Sequence, residues 1–149
     1  MFKNILIPTD GSKLSARGIK AGVKLARSLG AKVTGVYVAP PYMPPVYGEA
    51  AIYYIDDMSQ AAFQKATRRQ AGKALDAVKR EAASAGVRAS METVTEPLPY
   101  EGILKVARSK KCDAIVMSSH GRSAVGGLIL GSETTKVLAH SKIPVIVVR

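Results

Sequence analysis

A turn of small polar residues and a later Gly-Ser pair are the residues of this chain best suited to binding a phosphorylated ligand. The apolar run 113–117 ends at Ser118, and a turn follows through Gly121. Nine residues separate Gly121 from Gly131, and Ser132 and a helical pattern come next. Small residues leave backbone N–H groups uncovered, and a helix start carries about half a positive charge. This combination predicts a phosphate cradle, and with it a nucleotide or another phosphorylated ligand.

A second group of candidate residues follows the first apolar run, residues 2–7. Pro8 has no N–H and suits the end of a strand that turns sharply, and Thr9 and Asp10 follow it. Asp10 could cap the next helix, accept a hydrogen bond from a ribose hydroxyl, or bind a phosphate-associated metal through water. Its position leaves these roles open. Val38 ends the second apolar run and would offer an apolar wall for a flat base.

The residues around the cradle allow more than one role. Ser132 is a natural N-cap, and its hydroxyl could instead bind a phosphate oxygen, with the N–H groups of Glu133 and Thr134 next in line. The Glu133 carboxylate would repel phosphate, so we expect it to point away or to weaken binding. Arg122 could reach a phosphate or remain an exposed loop arginine. His120 is interpreted as a loop histidine, with catalysis as the alternative.

Apolar runs and amphipathic patterns alternate regularly along the chain. Strands are predicted at 2–7, 32–38, 87–95, 113–118 and 144–148, and helices at 12–29, 58–85, 98–109 and 132–139. This alternation predicts an α/β fold with a parallel sheet covered on both faces and right-handed crossovers. Such sheets bind ligands at the carboxyl ends of their strands. If the first and fourth strands are neighbours, the loops that follow them face one crevice.

Length and composition predict a single domain over residues 1–149. The chain has 149 residues, of which 47% are hydrophobic and 22% charged. No apolar run approaches the ~18 residues of a membrane span, and the apolar stretch before Pro8 is too short for a signal peptide. We therefore expect a cytoplasmic protein without a membrane partner. The one cysteine, Cys112, is interpreted as a packing thiol, with a reactive thiol as the alternative.

The net charge of +11 raises the question of a polyanionic partner. The cations recur on one side of the two longest helical patterns, which is typical of solvated helix faces. They are Lys13, Arg17, Lys20, Lys24 and Arg27 in the first pattern, and Lys65, Arg68, Arg69, Lys73, Lys79 and Arg80 in the second. Since no basic run with interleaved aromatics and no helix-turn-helix signature occurs, a nucleic-acid partner is not expected.

One segment interrupts the alternation. Residues 39–57 hold four of the eight prolines and four of the six tyrosines. This composition indicates either a variable surface excursion or a lid or partner-contact loop.

Several motifs of enzymes are missing from the sequence. It has no G-x-x-x-x-G-K-[ST], no G-x-G-x-x-G after a strand, and no G-x-S-x-G. These absences argue against a P-loop NTPase, a dinucleotide-binding fold and a serine hydrolase. Two distant histidines and one cysteine do not make a structural zinc site.

Three features together are typical of one protein family. They are the opening segment 5–12, the closing segment 142–148, and the spacing of Ser118, Gly121, Gly131 and Ser132. Through them the chain resembles the universal stress protein family from end to end. Nucleotide-binding members carry G-x-x-G-x9-G-[ST], and here Ser118 stands at the first glycine.

The resemblance implies a fold, a ligand and a partner. It implies a three-layer, open, parallel five-stranded sheet of order 3-2-1-4-5, similar to the adenine nucleotide alpha hydrolases, and a homodimer through strand 144–148. It implies ATP, or AMP or ADP, often with Mg²⁺ near Asp10. The implied contacts are Pro8, Asp10 and Val38 for adenine and ribose, Met117, Ser118 and Gly121 for the sugar–phosphate path, and Gly131, Ser132, Glu133 and Thr134 for the phosphates. Thr9, His120 and Arg122 are further candidate contacts with the nucleotide.

The function that follows from the resemblance is a nucleotide-responsive regulatory module with little or no turnover. A slow ATPase and a nucleotide-free interaction protein are the alternatives. The outcome depends partly on whether the Cβ of Ser118 is tolerated where a glycine is expected.

Overall fold

The computed structural model describes residues 1–44, 57–119 and 130–149, with side chains of the second helix from residue 59 onward. Five strands and four helices alternate over these residues. They are β1 (Asn4–Pro8), α1 (Ser15–Leu29), β2 (Lys32–Ala39), α2 (Asp57–Ser84), β3 (Ala89–Thr95), α3 (Pro99–Ser109), β4 (Ala114–Ser118), α4 (Ser132–His140) and β5 (Val145–Val148). The predicted alternation is confirmed.

The strands form one parallel sheet in the order β3-β2-β1-β4-β5, as expected. β1 lies at the centre, where Ile5 pairs with Val33 of β2 on one side and Ala114 of β4 on the other. After β1 the chain adds β2 and β3 on one side of it, and later adds β4 and β5 on the other side. The carboxyl ends of β1 and β4 therefore meet at the point where the strand order reverses.

Alternating side chains of the central strands pack against different pairs of helices. Ile5 and Ile7 are fully buried in a cluster with residues of α1 and α2. Leu6, also fully buried, belongs to a second cluster with residues of α3 and α4. Because successive strand residues point to opposite faces, continuously apolar strands indicate that both faces are covered. The three-layer arrangement predicted from these runs is confirmed.

One predicted helix start and one predicted N-cap were wrong, while the predicted start of the last helix at Ser132 is confirmed. The first helix begins at Ser15 and not at residue 12, since Ser12 lies in a turn whose Oγ accepts the N–H of Ser15 at 3.1 Å. Ser132 is not an N-cap: Gly131 holds that position with extended backbone (φ −67°, ψ 153°), and Ser132 is the first helical residue. The Ser132 hydroxyl is therefore not committed to capping.

Buried polar groups join three elements at the amino-terminal edge of the sheet. The Asn4 side chain, 3% exposed, donates to the carbonyl of Lys110 at 3.0 Å and accepts from Thr34 Oγ1 at 2.9 Å. It also donates to the sulfur of Cys112 at 3.3 Å. Burial raises the pKa of the Cys112 thiol, so the thiol is protonated at neutral pH, which agrees with a packing thiol.

None of the helices within the described ranges combines the length and apolar character that crossing a bilayer requires.

Candidate functional site

A cavity of about 380 Å³ opens at the carboxyl edge of the sheet, where the strand order reverses. The ends of β1, β2 and β4, the start of α4 and the β3–α3 connection surround it. Ten of the predicted site residues line it together: Pro8, Thr9, Asp10, Val38, Met117, Ser118, Gly131, Ser132, Glu133 and Thr134. The cavity has the size of a small-molecule site.

Three predicted site residues, His120, Gly121 and Arg122, lie outside the described residues. Most of the proline- and tyrosine-rich segment, residues 45–56, does so as well. Its first proline, Pro40, is described and lines the cavity.

Hydrogen bonds fix the loop after β1. The N–H of Thr9 donates to the carbonyl of Val36 at 2.9 Å, and the Thr9 hydroxyl lies 3.1 Å from that of Ser15. Asp10 Oδ1 accepts the N–H of Ser12 at 2.9 Å, so the carboxylate closes a turn ahead of α1 and does not cap the helix itself. Gly11 has φ +78°, which other residues rarely adopt. Asp10 is thereby held at the wall of the cavity.

The end of β4 lies directly against α1. A Cβ at Gly18 would approach the backbone nitrogen of Ser118 to 2.7 Å, closer than van der Waals contact permits. Only glycine therefore lets α1 pack at this distance. Met117 and Ser118 are 7% and 9% exposed, and both line the cavity. Ser118 thus forms part of a tightly packed wall.

The first turn of α4 is tied to the end of β4. The N–H of Gly131 donates to the carbonyl of Ser119 at 2.7 Å. The buried Thr134 hydroxyl lies 3.2 Å from the carbonyl oxygens of both Ser118 and Ser119. The first N–H groups of an α-helix have no acceptor within the helix. Here they belong to residues at the wall of the cavity, so an anion can bind to them.

Glu133 forms its hydrogen bonds with α3 and with its own helix. Its Oε2 accepts the backbone N–H of Tyr100 at 2.9 Å, and its Oε1 lies 2.8 Å from Lys136 Nζ. The hydrogen bond to Glu133 raises the pKa of Lys136, which stays protonated at neutral pH. These partners hold the carboxylate toward α3, while Glu133 still belongs to the lining of the cavity, so both expected alternatives, pointing away and weakening binding, stay predictions.

The sequence did not single out the β3–α3 connection as part of the site. Glu96 and Pro97 of this connection line the cavity, and so do Pro99 and Ile103 of α3. The N–H of Glu96 donates to the carbonyl of Ala39 at 3.1 Å, which holds the connection beside the end of β2. The third strand also ends at the carboxyl edge, and two prolines follow it. This pattern is a sequence signal for the third wall of the cavity.

The lining provides two kinds of surface. Val38, Ile103 and Met117 form apolar walls suited to a flat ring, while Asp10, the hydroxyls and the start of α4 provide polar contacts. Among the described residues, no group of three or more His, Cys, Asp or Glu side chains is placed to hold a metal ion.

Comparison with known proteins gives consistent matches over the whole chain. The sequence model of the universal stress protein family matches residues 1–149. A universal stress protein of Thermus aquaticus is 35% identical over 150 residues, with 100% of both chains covered. One of Methanocaldococcus jannaschii is 31% identical over 149 residues, which cover 100% of this chain and 83% of the relative.

Solved structures agree in fold. A universal stress protein in complex with cAMP has a TM-score of 0.66 and 24% identity, with 99% of this chain and 97% of the other covered. The Archaeoglobus fulgidus universal stress protein in complex with dAMP has a TM-score of 0.66 and 17% identity, with 99% and 98% covered. At these identities the two structures establish the shared fold alone.

Proposed function

Because the chain belongs to the universal stress protein family, we propose that it binds an adenine nucleotide in the cavity at the carboxyl edge of the sheet. The proposed role is that of a nucleotide-responsive regulatory module with little or no turnover. One observation carries the proposal: the ends of three strands and the first turn of α4 line a single cavity of about 380 Å³.

Different residues of the lining suit the base, the ribose and the phosphates of a nucleotide. Val38 and Met117 offer apolar surface for the base, and Asp10 offers a carboxylate for the ribose hydroxyls. The uncapped N–H groups at the start of α4 suit a phosphate, since helix N-termini favour anions. Two structures of similar fold contain adenine nucleotides, cAMP and dAMP, and this supports the same class of ligand here.

The resemblance to the G-x-x-G-x9-G-[ST] motif favours ATP as the nucleotide. AMP and ADP have the same base and ribose. Magnesium usually binds through phosphates and one or two carboxylates. Asp10 is a carboxylate at the wall of the cavity and fits that role. Magnesium would offset phosphate charge, and Asp10 would be the residue of this chain that helps to hold it.

We also propose a homodimer through β5. β5 pairs with β4 along one of its edges, and the residues of β5 are apolar. Ile146 is 36% exposed. An apolar edge strand that stays open is a site for pairing with another strand, and a second copy of β5 would cover it.

Calorimetric titration with ATP, AMP and adenosine tests the nucleotide proposal. We expect saturable binding of at least one nucleotide, and mass spectrometry of the purified protein should detect a co-purified adenine nucleotide. No binding of any of the three at millimolar concentration would reject the proposal in favour of a nucleotide-free interaction protein. Single-turnover hydrolysis of bound ATP separates a binding module from a slow ATPase.

The substitution Gly131→Val tests the position of the phosphate. Valine tolerates the extended backbone of Gly131 (φ −67°, ψ 153°), so the fold should persist. Its branched side chain would occupy the space next to the first N–H groups of α4, and we expect ATP affinity to fall by about tenfold or more, or about 1.4 kcal/mol. The measurement is calorimetry, with circular dichroism as the check on folding.

The matched control is Gly72→Val on α2, where an added Cβ meets no atom within 4 Å. It adds the same atoms away from the cavity and should leave affinity unchanged. Equal affinity of the Gly131 variant and the unchanged protein would refute the cradle at α4.

A further inference from the structure

Glu133 connects the first turn of α4 to the first turn of α3. It lines the cavity, yet its carboxylate accepts the N–H of Tyr100 at 2.9 Å on the neighbouring helix. The N-cap residue of α3, Leu98, has no side chain that could cap, and Pro99 has no N–H. Tyr100 therefore provides the first N–H donor of α3, and Glu133 caps this helix from outside.

Further contacts strengthen this connection. Lys136 lies 2.8 Å from Glu133 Oε1 and 5.8 Å from the centroid of the Tyr100 ring. His140 stacks on the same ring at a centroid distance of 5.2 Å. The Glu133 side chain is 34% exposed, and its contacts with Tyr100 and Lys136 hold its carboxylate between the two helices.

This fixed place keeps a negatively charged residue in the lining of the cavity that would hold the phosphates. Glu133 lies between Ser132 and Thr134, whose N–H groups are the ones that an anion would approach. Two further acidic residues, Asp10 and Glu96, line the same cavity, and Glu96 is paired with Lys105 at 2.6 Å. Repulsion from a fixed charge grows with the charge of the ligand, and it weakens when a cation neutralises that ligand. Lys136 offsets part of the Glu133 charge.

We propose that Glu133 is a specificity-determining residue that selects against uncompensated phosphate charge. Its carboxylate holds α4 against α3 and disfavours free triphosphate more than monophosphate or magnesium-bound triphosphate. This inference rests on the proposed nucleotide site. The charge of this one side chain would then determine how strongly nucleotide affinity depends on phosphate charge.

The test compares four ligands on the unchanged protein and on Glu133→Gln: adenosine, AMP, ATP with EDTA, and ATP with Mg²⁺. Glutamine keeps an oxygen that can accept the Tyr100 N–H and removes the charge. We expect the affinity for ATP with EDTA to rise about fivefold, that for AMP about twofold, and that for adenosine to stay constant. The gain for ATP should shrink as salt increases, because salt screens partly exposed charges.

Two further variants separate charge from position. Lys136→Gln removes the offsetting cation and should weaken ATP binding in EDTA while leaving adenosine unchanged. Glu101→Gln makes the same charge change on α3, outside the lining of the cavity, and serves as the matched control. The inference would be overturned if the ratio of the affinity for ATP with EDTA to the affinity for AMP were the same in the unchanged protein and in Glu133→Gln. It would also be overturned if Glu101→Gln changed this ratio as much as Glu133→Gln does. If adenosine and both nucleotides fail to bind the unchanged protein, the proposed function itself is rejected.

Discussion

At the scale of single residues, Ser118 lies where two elements of the proposed nucleotide site meet. Its backbone lies against Gly18 of α1, and its carbonyl accepts from Thr134 of α4. It is 9% exposed and lines the cavity. The side chain is therefore confined to a small part of the wall, so any effect on a ligand comes from one Cβ and one hydroxyl.

Ser118→Gly measures what that side chain does. If its Cβ is merely tolerated, ATP affinity should stay equal or rise by up to about fivefold, which is about 1 kcal/mol. Calorimetry on the variant and on Ser118→Ala gives the comparison, since alanine keeps the Cβ and removes the hydroxyl. A loss of tenfold or more in both variants would instead assign the hydroxyl a direct contact with the ligand.

Several residues of the cavity could be predicted from the sequence, because strand ends and turn residues have local signals. Pro8, Val38 and Ser118 follow from the apolar runs that end at them. The external cap that Glu133 forms on Tyr100 could not be predicted, since it joins residues 33 positions apart on two helices. Its existence depends on how α3 and α4 pack, and local patterns do not encode that contact.

At the scale of secondary structure elements, the Asn4 side chain determines how three elements meet. It joins the start of β1 to Thr34 of β2 and to the Lys110 carbonyl after α3. Asp113 accepts the N–H groups of Lys3 and Asn4 at 2.7 and 3.1 Å on the same edge. In strands that are apolar along their length, such polar contacts favour one pairing of the strands over a shifted one.

Asn4→Ala should lower the free energy of unfolding by about 2–3 kcal/mol, because it leaves a buried hydroxyl and a carbonyl without this partner. Urea denaturation followed by circular dichroism measures the change. Ser28→Ala is the control, since it removes an exposed hydrogen bond to the Lys24 carbonyl and should cost at most about 0.5 kcal/mol. Similar losses in both variants would contradict a special role for Asn4.

At the scale of the whole molecule, β5 determines the proposed assembly. The carbonyls of Pro144 and Val148 accept N–H groups of Ile115 and Ser119, so these residues present their backbone to the β4 side. Backbone direction alternates along a strand, which places the N–H of Val147 on the open edge. Since no strand in the described part of the chain pairs with that edge, we propose that this N–H pairs with a second copy of the chain.

Val147→Pro should convert a dimer into a monomer, because proline removes the N–H on the open edge and leaves the bonds to β4 intact. The chain mass is 15.8 kDa, so sedimentation analysis distinguishes the two states readily. Leu138→Glu changes an exposed apolar residue of α4 and should leave a strand-mediated dimer in place. A monomeric unchanged protein, or a dimer that survives Val147→Pro, would exclude assembly through β5.

The walls of the cavity come from both ends of the chain, β1 and β2 from one and β4 and α4 from the other. A partly folded chain that contains only β1, β2 and β3 therefore has no complete site. A nucleotide that binds in this cavity binds only the folded protein, so its free energy of binding adds to the free energy of unfolding. Proteases act on opened chains, so the lifetime of this protein would rise with the concentration of its ligand. The amount of protein present would then increase with the concentration of the nucleotide.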